Sequence, residues 1–263
     1  MSEEKVPMPT LVLPPRYTPD SIAVSKAAGR AGWGVERLGS WRVPGHLAGQ
    51  EVVLYGEPLF AAVVAGDLGL SLLEPPAGWL AGLPRELTRR GVRFTTLAEA
   101  RTLPGPAFIK PAEDKCFPAR VYAAGRDLPG EDVLPGSTPV LVSDPVDWQV
   151  EFRCFVLDGE VLTLSPYWRD GRLARADDGA WPATEEELAG ASSFAAAILR
   201  DPRASLPPAV VLDVGVIRGE GWAVVEANAA WGSGVYGCDP DQVLRVVRRA
   251  CVKKDGTARP GSS

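Results

Sequence analysis

Short apolar segments alternate with amphipathic segments along the first hundred residues. Thr18, Pro19 and Asp20 form a helix start, because they supply a capping hydroxyl, a proline at the first helical position and an acid in the first turn. Strands that alternate with helices indicate a small α/β unit with a mostly parallel sheet. The predicted strands are residues 35–38, 51–55, 69–73 and 92–95, and the predicted helices begin at residue 18 and cover residues 59–68 and 78–90.

Beyond residue 106 the pattern predicts consecutive antiparallel strands. Asp158-Gly159 is the signal of a type I′ hairpin turn. Thr184 and Glu187 have the spacing of a capping box and begin a predicted helix over residues 184–199, and the last helix begins at Asp239 and runs to about residue 251. The predicted strands are residues 107–110, 120–123, 140–143, 148–157, 160–165, 209–217 and 221–226.

The Leu-Pro-Gly-Pro segment at residues 103–106 resembles a linker. It divides the chain into an α/β domain at residues 1–103 and a second domain at residues 104–251. We interpret residues 1–13 as an unstructured or extended lead-in, and residues 252–263 as a disordered tail.

Composition excludes several classes of site. The chain of 263 residues has one histidine, which excludes sites that need several histidine ligands and favours a hard metal held by oxygen. A net charge of −5 argues against binding to duplex nucleic acid. No apolar run is long enough to span a membrane. The four cysteines form no C-x-x-C pair, so we expect free thiols and a cytoplasmic location. The sequence leaves the oligomeric state open.

The most informative stretch is the second hairpin of the C-terminal half. Side chains alternate along a strand, so Glu226 and Asn228 share a face, and the hairpin can bring Asp213 beside them. Two carboxylates and an amide are suitable ligands for Mg²⁺ bound to a nucleotide triphosphate. The alternative is that the two acids are solvated charges at strand ends and that Asn228 is a turn residue.

Two lysines lie in the middle of the chain. Lys110 ends an apolar strand, where an ammonium group directed into a cleft suits a phosphate oxygen. Lys115 lies in the following polar loop, residues 112–119, and is placed to fold over phosphates. The alternatives are a surface lysine at position 110 and, at position 115, a loop charge paired with Asp114 or Glu113.

A third stretch places Glu151 and Arg153 on one face of a strand and Cys154 on the opposite, core-facing side. Arg153 is a candidate for holding a γ-phosphate or an acyl phosphate. The alternative is a cross-strand ion pair on a solvated face.

The three stretches together resemble the ATP-grasp family. The resemblance covers about residues 104–251 and rests on the order of FIKPAEDKCFPARVY, VEFRCFVLDG and VVEANAAWGSGVYGCDP; it is greatest to small stand-alone members of poorly assigned function. It implies an ATP-grasp fold of mixed α+β and α/β type, in which two antiparallel-rich subdomains hold ATP, preceded by a small Rossmann-like pre-ATP-grasp domain. One departure is that the loop at residues 112–119 lacks the glycines of many relatives.

The resemblance also implies roles for single residues. Lys110 and Lys115 match phosphate contacts, and Arg153 matches the basic residue near the γ-phosphate, so that Arg153 and Lys115 are the catalytic candidates. The remaining candidates are the adenine hinge Leu141, Val142 and Ser143, Asp147 for a ribose hydroxyl, Glu151 as a further nucleotide-site residue, and Asp213, Glu226 and Asn228 for Mg²⁺, with Mn²⁺ as a substitute.

The implied reaction is ATP-dependent ligation. A carboxylate attacks the γ-phosphate to give an acyl phosphate and ADP, and an amine then displaces phosphate. The expected substrate is a small molecule, an amino acid or a peptide. Two alternatives stay open, namely a kinase that uses the same site and a non-catalytic nucleotide-binding module. Tyr167, Arg169 and Trp231 are candidate substrate contacts.

Overall fold

A computed structural model of the chain describes residues 8–113 and 115–254. Its strands fall into four sheets. They are β1 (Thr10–Leu13), β2 (Gly34–Arg37), β3 (Val52–Leu54), β4 (Leu70–Leu72), β5 (Val92–Thr96), β6 (Ala107–Pro111), β7 (Arg120–Tyr122), β8 (Pro139–Ser143), β9 (Trp148–Leu157), β10 (Glu160–Arg169), β11 (Arg172–Leu173), β12 (Ala209–Ile217), β13 (Gly221–Asn228) and β14 (Cys251–Lys253).

Six α-helices cover the faces of the sheets in the described residues. The capping boxes at Thr18 and Thr184 both form, with Ser21 and Glu187 as the reciprocal partners. The helices are α1 (Pro19–Arg30), α2 (Pro58–Val64), α3 (Arg85–Thr88), α4 (Leu97–Arg101), α5 (Glu185–Arg200) and α6 (Pro240–Ala250).

The N-terminal sheet is parallel, with the order β2-β1-β3. β1 is its central strand, so the interpretation of residues 1–13 as a lead-in is wrong for Thr10–Leu13. This strand is only four residues long and lies close to prolines on both sides, which hid it in the sequence. Leu11, Val12 and Leu13 are fully buried. Their burial between flanking strands gives a short segment the stability that its local pattern does not reveal.

The second sheet has the order β5-β8-β6-β7 and is antiparallel. β5 precedes residue 103 in the chain and nevertheless pairs with β8. The domain boundary at residues 103–104 stays a prediction. The helix expected over residues 78–90 is wrong, because this stretch forms a 3₁₀ turn at Trp79–Gly82 and the four-residue α3. Pro84 lies between the two and has no backbone N–H for a continuous helix.

The third sheet is antiparallel, with the order β11-β10-β9-β12-β13. At the β9–β10 turn Asp158 and Gly159 have φ of 48° and 84°, as a type I′ turn requires. One face packs on α5. Phe155, Ala209 and Val211 on the opposite face share a core with α6 and the N-terminal sheet. Helix α6 therefore joins the two sheets through one hydrophobic core.

The C-terminal part of the description ends in β14, which pairs with β4. Val252 and Lys253 pair with Ser71 and Leu70, so the predicted disordered tail is wrong at its start, where strand pairing satisfies the backbone. Residues 255–263 of that predicted tail lie outside the described residues. Within the described ranges, no helix has the length and apolar character needed to cross a membrane.

Candidate active site

A β-bulge in the β12–β13 hairpin sets the direction of the candidate metal ligands. Asp213 lies opposite Glu226, whereas the next residue, Val214, lies opposite Val224. Val225 is therefore the extra residue of the bulge. Below the bulge Glu226 and Asn228 lie on the face of Asp213, so the structure brings together the three side chains that the sequence singled out.

Hydrogen bonds join these three side chains directly. The Asn228 amide Nδ2 donates to Asp213 Oδ2 at 3.1 Å and to Glu226 Oε1 at 2.9 Å. Lys110 donates to Glu226 Oε2 across the gap between two sheets. Burial raises the pKa of Glu226, but the Lys110 ammonium and the Asn228 amide outweigh burial and lower the pKa to about 2. Glu226 is thus held as a carboxylate.

Asp213 and Arg153 form a buried, two-pronged ion pair. Arg153 Nε lies 3.0 Å from Asp213 Oδ1, and Nη2 lies 2.7 Å from Oδ2. Asp213 is fully buried. Burial alone lowers the pKa of Arg153, but the Asp213 charge outweighs it and raises the pKa above its ordinary value. The neighbouring strands β9 and β12 create this pair, since their register places the two residues opposite each other.

Aromatic rings enclose the Arg153 guanidinium. Its carbon lies 5.1 Å from the centroid of Tyr167 and 4.9 Å from that of Tyr236, and the two rings stack at 5.2 Å. Arg153 Nη1 donates to the Gly234 carbonyl at 3.2 Å. All three nitrogens of Arg153 are therefore engaged, and the residue can reach a phosphate only by exchanging a present contact for it.

Glu151 lies on the same face of β9 as Arg153, as strand alternation predicts. Its side chain is buried, and the Tyr167 hydroxyl donates to Oε2 at 2.5 Å. Burial raises the pKa of Glu151 to about 7, although the Tyr167 hydrogen bond opposes the rise. This carboxyl group is the one in the cluster that titrates near neutral pH.

The glycine-rich loop (residues 231–237) closes one side of the cluster. Asp20, in the first turn of α1, accepts backbone hydrogen bonds from Val235 and Tyr236. Tyr236 has a φ of 50°, which is unusual for a residue with a side chain. Asp20 therefore fixes the loop in the conformation that stacks Tyr236 on Arg153. The sequence marked Asp20 only as a helix-start residue and gave no sign of this contact.

The predicted adenine hinge has a different surrounding from the one expected. Leu141 and Val142 pair with β5 on one side and with β6 on the other, so their backbone groups are used within the sheet. The prediction that these two residues hold the adenine edge through their backbone is wrong for this reason. Ser143 ends the strand and is the one hinge candidate next to the connection to β9.

Two other predicted residues lie apart from the cluster. Asp147 pairs with Arg218 at 2.8 Å, and Arg218 follows Asp213 by five residues along the hairpin, roughly 16 Å away. Lys115 is exposed in the loop between β6 and β7. Neither position supplies a contact to the carboxylates, and the assignments of Asp147 to a ribose and of Lys115 to phosphates remain predictions.

The candidate substrate contacts divide in the same way. Tyr167 lies in the cluster. Arg169 is engaged in an ion pair with Glu187 at 2.6 Å. Trp231 is buried in the core and donates to the Leu73 carbonyl at 3.1 Å, so its expected place as a wall of the site is wrong.

The side chains present fit a magnesium ion that keeps several water or phosphate ligands. Among the described residues, no group of three or more His, Cys, Asp and Glu side chains is arranged to hold a metal. The converging set is instead two carboxylates and one amide, Asp213, Glu226 and Asn228. Mg²⁺ commonly takes one or two carboxylates and completes its octahedron with water and nucleotide phosphates.

The family comparison gives a match to more than half of the chain. The model that matches describes an ATP-grasp domain, the second family of its clade, and it covers residues 87–246. No curated protein matches the chain in sequence.

Solved structures resemble the chain over most of its length. A RimK domain protein ATP-grasp from Sphaerobacter thermophilus DSM 20745 has a TM-score of 0.53 at 14% identity, over 91% of this chain and 99% of that one. An L-amino acid ligase from Bacillus licheniformis has 0.55 at 16%, over 94% and 75%. D-alanine–D-alanine ligase from Bacillus anthracis complexed with ATP has 0.51 at 12%, over 94% and 97%. Identities this low concern the fold alone, and they confirm the predicted ATP-grasp fold with antiparallel sheets.

Proposed function

Because the chain belongs to this family of ATP-grasp domains, we propose that it is an ATP-dependent ligase that joins a carboxylate to an amine. The observation that carries the proposal is the cluster of Lys110, Arg153, Asp213, Glu226 and Asn228 between two sheets. Cations and oxygen ligands that converge in this way suit a triphosphate and its metal.

In the first step a substrate carboxylate oxygen attacks the γ-phosphorus of ATP. The bond between that phosphorus and the bridging oxygen breaks, ADP leaves, and an acyl phosphate forms. Lys110 is the residue proposed to bind phosphate oxygens, since its ammonium is partly exposed, with 19% of the side chain accessible. The positive charge of Arg153 lies behind Asp213 and balances the negative charge around the transferred group.

In the second step an amine nitrogen attacks the acyl carbon. Inorganic phosphate leaves, the amide bond forms, and the amine loses a proton. Glu151 is the proposed acceptor of that proton, because its pKa of about 7 lets it change protonation state near neutral pH. No histidine or cysteine nucleophile is needed, in keeping with the single histidine of the chain.

A magnesium ion would be held by Glu226, Asn228 and Asp213. When bound, it neutralises phosphate charge and fixes the orientation of the triphosphate. The printed names of the similar ligases, which concern D-alanine and L-amino acids, support an amino acid, a peptide or a related small molecule as the substrate class of the present chain. The chemistry of the cluster itself does not choose among these.

The test uses the purified full chain with ATP, Mg²⁺ and pooled amino acids and peptides. ADP release together with a condensed product detected by mass spectrometry supports ligation. A carboxylate substrate labelled with ¹⁸O sharpens the test, because an acyl phosphate passes one labelled oxygen to inorganic phosphate. A stably phosphorylated product without such transfer would instead establish the kinase alternative. No nucleotide binding in calorimetry would refute both.

A matched pair of variants ties the result to the cluster. Glu226→Gln keeps the size of the side chain but removes its charge, and we expect it to abolish ADP release. Glu220→Gln makes the same change at the exposed turn of the same hairpin and should leave ADP release unchanged. Unchanged activity in Glu226→Gln would favour a non-catalytic module.

A further inference from the structure

The bulge at Val225 decides which face of the hairpin carries Glu226. Above the bulge Trp222 and Val224 lie opposite Val216 and Val214, and these four residues belong to the core beneath α5. Without the extra residue, the same register would place Glu226 opposite Leu212, on that apolar face. The bulge therefore converts a core-facing position into a site-facing one.

One buried side chain holds the bulge. Arg90 Nη1 donates to the Val224 carbonyl at 2.7 Å, and Arg90 Nη2 donates to the Val225 carbonyl at 3.0 Å. These are the carbonyls of the extra residue and of the residue before it. A bulge interrupts the regular ladder of the strand, and the planar guanidinium provides two donors at a spacing that matches two successive carbonyls.

The position of Arg90 is itself fixed from several sides. Only 6% of the residue is exposed. Nη1 also donates to the Thr88 carbonyl at 3.0 Å, and the Thr88 hydroxyl donates to the Arg90 carbonyl at 2.8 Å. The guanidinium carbon lies 5.0 Å from the ring centroid of Trp148. A side chain held in this way can impose a geometry on the strand it contacts.

The backbone around Arg90 adds to this constraint. Arg89 has a left-handed φ of 54° and ends α3. Gly91 N–H donates to Asp144 Oδ2 at 2.7 Å, and Asp144 N–H donates to the Gly91 carbonyl at 3.0 Å. The turn that carries Arg90 is therefore anchored to the connection between β8 and β9, which leads from one sheet of the candidate site to the other.

We propose that Arg90 is a positioning residue for the ATP site, which keeps Glu226 and Asn228 on the face of Asp213 by fixing the Val225 bulge through its two carbonyls. The inference rests on the proposed function, since it assigns to Arg90 the alignment of the proposed magnesium ligands. Arg90 touches neither substrate nor metal and acts through the backbone of β13.

The test compares Arg90→Met and Arg90→Lys with Arg93→Met, all in the full chain. Arg93 lies on β5 with an exposed side chain and is the matched control. Amide hydrogen exchange in the ligand-free protein reports on residues 223–228. Calorimetry with ATP, in the presence of Mg²⁺ and then of EDTA, separates the metal-dependent part of nucleotide binding from the remainder.

We expect Arg90→Met to accelerate exchange in residues 223–228 and to reduce the Mg²⁺-dependent gain in ATP affinity by about tenfold or more. Binding of metal-free ATP should change by less than about twofold, because Lys110 remains. Arg90→Lys keeps the charge but lacks the planar pair of donors, and it should restore only part of the gain. Arg93→Met should behave as the wild type.

Two results would overturn the proposal. One is unchanged exchange in residues 223–228 of Arg90→Met, and the other is faster exchange with an unchanged Mg²⁺-dependent gain, since a merely structural role predicts the latter. If Arg90→Met does not fold, Arg90→Lys decides, and wild-type behaviour in both measurements would refute the role. Failure of the proposed function is distinguishable, because the wild type would then not bind ATP at all.

Discussion

Replacing Glu151 by glutamine should make the protein more stable at neutral pH but not in acid. Burial raises the pKa of Glu151 to about 7 from an ordinary 4.5. The difference is about 2.5 pH units, and each unit corresponds to about 1.36 kcal/mol, so that ionised Glu151 costs the native state about 3 kcal/mol. Glutamine keeps the shape and the oxygen that accepts from Tyr167, but it never ionises.

The direction of the pH dependence follows from the raised pKa. Below about pH 4.5 Glu151 is protonated in both the folded and the unfolded state and costs nothing. Between about pH 4.5 and 7 the unfolded state ionises first, so the free energy of unfolding of the wild type falls relative to that of Glu151→Gln. Above about pH 7 the difference is complete. Nearby groups such as Glu226 titrate in both proteins and largely cancel in the comparison.

The assay is urea unfolding of the ligand-free protein, followed by the fluorescence of its eight tryptophans at several values between about pH 4.5 and 8. The difference between Glu151→Gln and wild type should rise with pH toward about 3 kcal/mol. Glu220→Gln, at an exposed turn, should give a flat difference. A flat difference for Glu151→Gln as well would refute the reasoning that burial holds this carboxyl group protonated.

Three further changes test other parts of the structure. Asp20→Ala should accelerate hydrogen exchange in the glycine-rich loop and lower ADP release, since it removes the carboxylate that accepts from the loop backbone. Gly215→Ala would place a Cβ 2.7 Å from the Val150 carbonyl and should cost about 2 kcal/mol in urea unfolding. Thr184→Ala removes the capping box of α5 and should cost about 1 kcal/mol; an unchanged unfolding midpoint would contradict either stability estimate.

Local chemistry made several features of the fold predictable. Asp158-Gly159 specified its turn because both residues tolerate positive φ, and Thr184 with Glu187 specified the start of α5. The short strand β1 escaped prediction, because its stability comes from β2 and β3 on either side and not from its own four residues.

The candidate site was predictable only where its residues lie on recognisable strands. Asp213, Glu226 and Asn228 were found because they follow apolar runs within one hairpin. Arg90 and Asp20 were not, since Arg90 contacts a strand 134 residues further along the chain and Asp20 contacts a loop that is also remote in sequence. No local pattern encodes such contacts.

One conflict in the sequence did contain information about the bulge. Trp222, Val224, Glu226 and Asn228 all occupy alternate positions, so uninterrupted alternation would place two core residues and two site residues on the same face. Such a mixture is resolved only if the register shifts between Val224 and Glu226, where the structure has its bulge. Chemical character that contradicts strict alternation thus indicates an extra residue in a strand.

The charges of the cluster explain why metal dependence is the informative property of this site. Arg153 and Lys110 neutralise Asp213 and Glu226 in the ligand-free structure. A triphosphate that binds alone must draw Lys110 away from Glu226 and leave that carboxylate beside new negative charge. A divalent cation that binds alone meets two carboxylates already paired with cations. Each ligand removes the obstacle to the other, so their binding is coupled through Glu226, and the residue that aligns Glu226 controls the coupling more than it controls either affinity.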